Sequence, residues 1–408
     1  QLLGEGQMEE QNTTVKWGTG FRSKTAGKLV LLLSGDDGMV QTALLTPMLA
    51  SIMVEFPGHD TLQYDQMVSV TAVMMCLTMF LSSFLAKKIN RKWLIIFGTA
   101  CFALAGLSCS LATSLEFLTA ARAVLGFGAG MALPLVPSAI AQLFAEKEKN
   151  QMLGWLNATG SVLSFTLSTL AGFIAVINWR SAFYLYLIFI PVIILQVLCL
   201  PNFKPEGQAS TSSEPKEKTP LGVKPWLVAG SMLIVMALIT VILYKLSPII
   251  EFRGMGDASI SGLSTSVLTA SSFVAAVFFG NYFTKLKDFS PAASLLIGGL
   301  AFAFLGLASN IGMIFAGCVC CGIALGSLNP YFMSAMSDVA PANKMSFAMT
   351  LICVCQIGAQ IVTPYYIAAL SIIGIVDDQA TCVVTAVILA AIAIAYLIRA
   401  IRKRASQQ

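Results

Sequence analysis

Long apolar runs alternate with short polar breaks along almost the whole chain. Stretches of roughly 18–25 apolar residues can be placed at about 29–54, 65–86, 93–112, 117–143, 151–176, 182–200, 226–248, 259–284, 291–309, 311–336, 345–371 and 380–400. As helices rising about 1.5 Å per residue, each is long enough to cross a bilayer core of about 30 Å. The pattern predicts an all-α membrane protein of twelve transmembrane helices. Its weakest division lies within 291–336, where only Ser309 and Asn310 mark a turn between two apolar runs. The one long polar break, Pro201 to Pro225, is rich in Ser, Thr, Pro, Glu and Lys and reads as a flexible linker. It divides the spans six and six: a tail over 1–28, one bundle over 29–200, the linker over 201–225, a second bundle over 226–400 and a short tail over 401–408.

Composition supports the same class, because a chain with 57% hydrophobic and 11% charged residues has too little polar surface to dissolve as one globule. Basic residues then orient it, since cytoplasmic loops beside spans are enriched in Lys and Arg. With the amino terminus inside, all but four of the 25 basic residues fall on the cytoplasmic side. Arg180 and Arg253 lie outside, and Arg122 and Lys245 lie in the membrane. The expectation is a multi-pass protein of the cell membrane with both termini cytoplasmic, the lipid bilayer as its surroundings, and a monomer. The net charge of +5 describes a membrane face, and no basic patch interleaved with aromatics points to nucleic acid. The polar amino terminus shows no signal-peptide pattern, and Met8 is a candidate natural start. Nearly all of the ten cysteines fall within spans, so a disulfide framework is not expected. Cys318, Cys320 and Cys321 lack an accompanying histidine and read as small-residue helix packing rather than a metal path.

The two bundles carry a repeat. Gly126, Gly130 and Pro134 of the fourth span recur at a constant offset as Gly322, Gly326 and Pro330 of the tenth. Phe102, Ala103, Gly106 and Leu107 of the third span match Phe302, Ala303, Gly306 and Leu307 of the ninth at nearly the same offset. Weak internal symmetry of this kind marks transporters built from two related halves.

Away from the ends of the spans, charge narrows to four positions: Asp36, Asp37, Arg122 and Lys245. An ionisable residue at that depth is a functional-site hypothesis. Desolvation and mutual repulsion penalise two adjacent carboxylates, so one can hold a proton near neutral pH and exchange it for a cationic substrate. Neighbours on a helix point about 100° apart, so only one of the pair can line a given cavity. The bland alternative is that both cap a helix broken between Gly35 and Gly38. Arg122 stays protonated and stabilises the charged form of whichever acid approaches it, directly or through Gln41, or else acts as interhelical glue. Lys245 near the end of span seven either attracts an anion or snorkels to the interface. Asn157, Asn281, Asn329, Gln356 and Gln360 are uncharged cavity candidates or satisfied helix contacts. The second bundle has no clear mid-membrane acid. Glycines at 126, 128 and 130 allow close, rocking helices, and Pro134, Pro330 and Pro364 interrupt backbone bonding where movement is needed.

The residues resemble the major facilitator superfamily over nearly the whole chain. Arg122-Ala-Val-Leu-Gly126-Phe-Gly128-Ala-Gly130 is similar to the family's Arg-x-x-x-Gly-x-Gly-x-Gly motif. The loop Ser83-Phe-Leu-Ala-Lys87-Lys88-Ile-Asn90-Arg91-Lys92 resembles its Gly-x-Leu-Ala-Asp-Arg-x-Gly-Arg-Arg signature in degenerate form, with Lys87 in place of the acid and Asn90 in place of a glycine. The antiporter element of span five is mostly missing, with Leu167, Ser168, Ala171 and Gly172 at its positions. Gly35-Asp-Asp37-Gly-Met-Val-Gln41 followed by Pro47-Met48 resembles the first span of the twelve-helix drug:proton antiporters. The resemblance implies an acid and a glutamine facing a central cavity, with Asp37 the better candidate. It also implies a gate that uses Lys87, Lys88, Arg91, Gly126, Gly130 and Pro134.

Enzyme readings lack their residues. The single histidine, His59, lies in a loop, no His-Glu-x-x-His pair occurs, and no phosphate-cradling glycine loop with its lysine is present. The sequence therefore points to a secondary transporter that needs no cofactor, draws on the proton gradient and takes a small molecule. Export of a lipophilic or cationic compound leads. Uptake of a small organic anion partnered by Arg122 and Lys245 is the runner-up, and a sensor or scaffold without flux is the third reading.

Overall fold

The computed structural model describes residues 24–35, 37–86, 88–144, 146–202, 222–286, 289–340 and 345–405. Asp36, Lys87 and most of the 201–225 linker lie outside the described residues, as do the side chains of Asp37 and Asn281. The described chain is helical, with no strand. Its helices are α1 (Lys24–Leu33), α2 (Asp37–Leu45), α3 (Leu49–Glu55), α4 (Thr61–Leu85), α5 (Arg91–Ser108), α6 (Leu115–Ala132), α7 (Leu135–Leu143), α8 (Glu146–Ile177) and α9 (Trp179–Ala182). They continue as α10 (Phe189–Cys199), α11 (Val223–Ile239), α12 (Val241–Phe252), α13 (Ala258–Leu286), α14 (Ser290–Gly306), α15 (Ile311–Val339), α16 (Met345–Ile372) and α17 (Asp378–Ala405). Ten segments among the described residues are long and apolar enough to cross a membrane. Two shorter apolar ones, Val40–Glu55 and Ser290–Gly306, fall on the first and ninth expected spans.

Several spans that read as continuous are broken, each for a local reason. The first stops at Leu33, where the Ser34 hydroxyl turns back to the Val30 carbonyl at 2.5 Å, and the helix restarts at Asp37. It changes again at a 3-10 turn, Thr46–Met48, because Pro47 brings a fixed φ and no amide donor. Pro134 separates α6 from α7 in the fourth span for the same reason. In the seventh, Thr240 divides α11 from α12. Its hydroxyl lies 2.9 Å from the Met236 carbonyl and 2.7 Å from the Thr363 hydroxyl, one residue before Pro364 inside α16.

By compactness the chain forms two units. The first takes the described parts of Gln1–Thr42, Val70–Leu163 and Arg180–Glu217; the second takes Ala43–Ser69, Ser164–Trp179 and the described parts of Lys218–Gln408. In the first unit α5 packs along α6, and α10 covers α5 and α1. Phe102 anchors this layer, its ring centroid 5.2 Å from that of Tyr186 and 5.1 Å from that of Phe189, both edge-on. In the second unit α14 packs along α15 and α17, α13 along α15, and α11 along α16. Spans three, four and six thus pair as spans nine, ten and twelve do.

The sequence repeat has a physical basis in these pairings. A β-carbon on Gly126 or Gly130 would collide with the backbone of Thr71 or Met75, and one on Gly322 or Gly326 with the backbone of Leu268 or Ser272. In each unit two glycines one turn apart let helix backbones touch. Close packing of this sort drives association in lipid, where apolar burial alone gives little.

Candidate functional site

The first unit builds a buried polar site around the broken first span. Arg122 on α6 is 1% exposed, and its Nη2 donates to Gln41 Oε1 at 3.0 Å. Gln41 on α2 is 2% exposed, and its Nε2 donates to the Thr42 hydroxyl at 2.7 Å. A guanidinium in hydrocarbon is costly, and an amide oxygen aimed at it supplies one charge-assisted bond. Asp37 opens the same helix four residues before Gln41. Behind the break, Gln196 of α10 donates to the Ser34 hydroxyl at 2.9 Å and to the Thr99 hydroxyl at 3.0 Å. Sequence reasoning missed Gln196, Ser34 and Thr99, because single polar residues in apolar runs gave no charge signal.

The loop before α5 corrects the expectation that buried charge is confined to four positions. Lys88 is exposed as a loop lysine should be, but Arg91 and Lys92 are buried. Lys92 Nζ donates to the Val197 and Leu200 carbonyls at 2.8 and 2.7 Å, capping the end of α10 with a cation. Asn90, where the family pattern has glycine, is the N-cap of α5 and accepts from the Lys92 amide at 3.0 Å. The buried charges of this protein are therefore not confined to four positions.

The second unit holds the rest. Lys245 on α12 is 4% exposed and does not snorkel: its ammonium ends 2.7 Å from Asp378 Oδ1 at the start of α17. Asp65 on α4, absent from the sequence candidates, is 1% exposed and feels the charges of both Lys245 and Asp378. Nearby on α12, Glu251 accepts from the Ser247 hydroxyl at 2.8 Å and from the Ser51 hydroxyl at 3.4 Å. Ser247 in turn accepts from the Ala50 amide at 3.2 Å, tying α3 to α12. Outside the spans, burial pushes the Asp377 carboxyl up, but the hydrogen bond from Arg253 at 2.6 Å and backbone donors outweigh it and hold the group below its ordinary value.

Within this unit the later part of α8 crosses α13 at two glycines. A β-carbon on Gly262 would stand 2.6 Å from the Ser168 carbonyl and 2.8 Å from Gly172 Cα. The Ser168 hydroxyl donates to the Gly262 carbonyl at 3.2 Å, and the Thr169 and Ser266 hydroxyls lie 2.6 Å apart. Ser168 and Gly172 are two of the residues that stand in for the missing antiporter element.

The remaining candidates scatter. Asn157 is exposed and donates to the Leu153 carbonyl of its own helix at 3.1 Å. The Oδ1 of Asn329 is buried without a hydrogen-bond partner among the described residues. Gln356 and Gln360 are half-buried on α16, and the Gln360 carbonyl accepts from the Tyr244 hydroxyl at 2.7 Å. Thus Arg122 and Gln41 come together, whereas Lys245 is taken by an acid that the sequence candidates did not include. The second unit also carries a half-open cleft of about 810 Å³ whose walls include Lys224, Ser231, Tyr331, Asp338, Tyr396 and Arg399, and an open apolar depression of about 600 Å³ beside Phe165, Val274 and Phe278.

The arabinose-proton symporter of Escherichia coli is 27% identical over 185 residues, which cover 45% of this chain and 38% of that protein. The methylenomycin A resistance protein of Streptomyces coelicolor is 35% identical over 111 residues, 27% of this chain and 23% of that one. The chain thus matches well under two thirds of the length of either relative. A bacterial homologue of the human lysosomal transporter Spinster, solved in an inward-facing and unoccupied conformation, superposes with a TM-score of 0.72 at 15% identity, covering 94% of this chain and 98% of that one. Its likeness is one of fold. The model of the Major Facilitator Superfamily matches residues 37–364, from the start of α2 to the proline of α16, and the chain belongs to that family of membrane transporters.

Proposed function

We propose that this transporter exports a lipophilic or cationic small molecule in exchange for protons, by alternating access, with Asp37 carrying the coupling proton. The observation that carries the reading is the buried Arg122–Gln41 pair at 3.0 Å, one helical turn after Asp37 on the same helix. A fixed cation held through an amide on the acid's own helix favours the carboxylate when the two approach and releases a proton. Gln41, Asn329, Gln356 and Gln360 supply the neutral polar contacts of the substrate path. Lys88, Arg91, Gly126, Gly130 and Pro134 serve the gate. Both termini face the cytoplasm and the protein works as a monomer. The methylenomycin A resistance protein among its relatives supports export.

Proton-coupled uptake is the second reading, favoured by the arabinose-proton symporter. Uptake of an organic anion gains less support, because Lys245 is already matched by Asp378 at 2.7 Å. The test is pH-driven flux of ethidium in proteoliposomes. Asp37→Asn is expected to abolish proton-linked flux while the protein still purifies as a folded monomer. Flux equal to the parent's would reject Asp37 as the coupling residue, and accumulation in the opposite direction would replace export by uptake.

A further inference from the structure

Among the residues whose side chains are described, Asp65 is the one carboxyl group that is fully buried. It stands on the second turn of α4, and neither of its oxygens has a hydrogen-bond partner among the described residues. The charged groups that act on it are Lys245 of α12 and Asp378 of α17. Lys245 is already in contact with Asp378 at 2.7 Å. Around these, the Cys382 thiol feels Asp378, Lys245 and Asp377. Arg253 is occupied by Asp377 at 2.6 Å, so it does not balance a second acid.

The charge count is therefore one cation for two acids, with Asp65 and Lys245 buried and Asp378 half-buried. An ionised carboxylate without donors there is far costlier than a neutral carboxylic acid. With a proton on Asp65 the trio is neutral, and the lysine is free to contact Asp378 alone, as it does. Without that proton the trio carries an excess negative charge, and two carboxylates compete for one ammonium.

We propose that Asp65 is a second proton-binding site of this transporter, and that the proton it carries keeps Lys245 committed to Asp378. The inference rests on the proton-coupled reading above but uses other residues on other helices. The step breaks one O–H bond, sends the proton to water and leaves the carboxylate to draw Lys245 toward α4. A single proton thereby decides whether the lysine ties α12 to α17 alone or to α4 as well.

The test reads protonation directly, on the full chain in lipid nanodiscs. Infrared titration from about pH 5 to about pH 9 follows the C=O stretch of protonated carboxyl groups. A component that decays with rising pH is expected in the parent and in Asp37→Asn, and is expected to be lost in Asp65→Asn, which keeps the shape of the neutral acid. In Lys245→Met, which removes the cation favouring the carboxylate, the decay should move up by about one pH unit or more. A component unchanged by Asp65→Asn would overturn the proposal. Should that variant fail to fold, an unshifted decay in Lys245→Met would overturn it instead. Ethidium flux separates the two readings. Absence of pH-driven flux in the parent, with the Asp65 component present, sinks the coupled-export reading alone. Parent flux without an Asp65 component sinks this inference alone.

Discussion

The crossing of α8 and α13 allows a worked perturbation, Gly262→Ala. The added β-carbon would sit 2.6 Å from the Ser168 carbonyl and 2.8 Å from Gly172 Cα, where ordinary contact begins at 3.4 Å. Both obstacles are backbone, so no side chain can swing aside and the helices must part by about 0.8 Å. Overpacking of this size costs about 1–3 kcal/mol. The Ser168 hydroxyl, now 3.2 Å from the Gly262 carbonyl, is lost first, and the contacts of Ser266 with Thr169 at 2.6 Å and with the Phe165 carbonyl at 2.8 Å weaken with it. Interhelical bonds in lipid average about 0.6 kcal/mol each, which adds about 2. Against this stands about 1 kcal/mol gained by replacing a helical glycine with alanine. The net loss is about 3 kcal/mol, or a fall of about 6 °C in melting temperature at roughly 2 °C per kcal/mol. All ten cysteines are free, so a thiol-reactive dye in detergent reports unfolding. Gly230→Ala is the control, because a β-carbon there meets open space and the propensity gain stands alone. If Gly262→Ala melts at or above the parent, as Gly230→Ala should, the backbone crossing is not a source of stability.

Arg122→Lys keeps the charge but loses the planar donor that reaches Gln41 at 3.0 Å, so ethidium flux is expected to fall at least about tenfold with the fold retained; parent-like flux would show that charge alone suffices. Gln41→Ala removes that acceptor from a buried guanidinium and should lower stability by about 1–3 kcal/mol, read as a lower melting temperature. For Glu148, burial pushes the carboxyl up but the hydrogen bonds from Lys24 and Lys28, with ion-pair distances of 2.7 and 2.5 Å, outweigh it and hold it below its ordinary 4.5. A depressed acid stabilises the fold above its unfolded value and loses that contribution as pH falls through the folded one. The melting difference between parent and Glu148→Gln is therefore expected at neutral pH and should vanish in acid; a difference that persists there would assign it to packing.

Hydropathy was enough to place the spans, because each is a long run of the same kind of residue. It did not place the breaks at Pro47 and Thr240, where one proline or one hydroxyl redirects the backbone inside an apolar run, whereas the break between Leu33 and Asp37 lies beside the one the sequence allowed between Gly35 and Gly38. The Arg122–Gln41 contact was legible as a candidate, since both residues belong to motifs that resemble a known family. Asp65 was not. It lies four residues into α4, at the very start of the expected span, and the charged groups that act on it, Lys245 and Asp378, stand far along the chain. Lys245 and Asp378 are separated by 133 residues, and nothing in the local pattern of either announces the other.

The repeat shows which part of the sequence each kind of constraint governs. Gly126 and Gly130 in one unit and Gly322 and Gly326 in the other meet backbone in the same way, so the small residues of the two halves answer to the same packing problem. The mid-membrane arginine does not repeat. Arg122 precedes Gly126 by four residues, and the corresponding position before Gly322 is Cys318, buried in an apolar core. A glycine at a touching backbone is fixed by geometry that both halves share. A buried arginine is tolerated only where Gln41 or a like group receives it, and the second unit offers its cation, Lys245, to an acid instead. The two halves thus share the glycine contacts of their scaffold and differ in how each receives its deeply buried cation, Arg122 by an amide and Lys245 by a carboxylate.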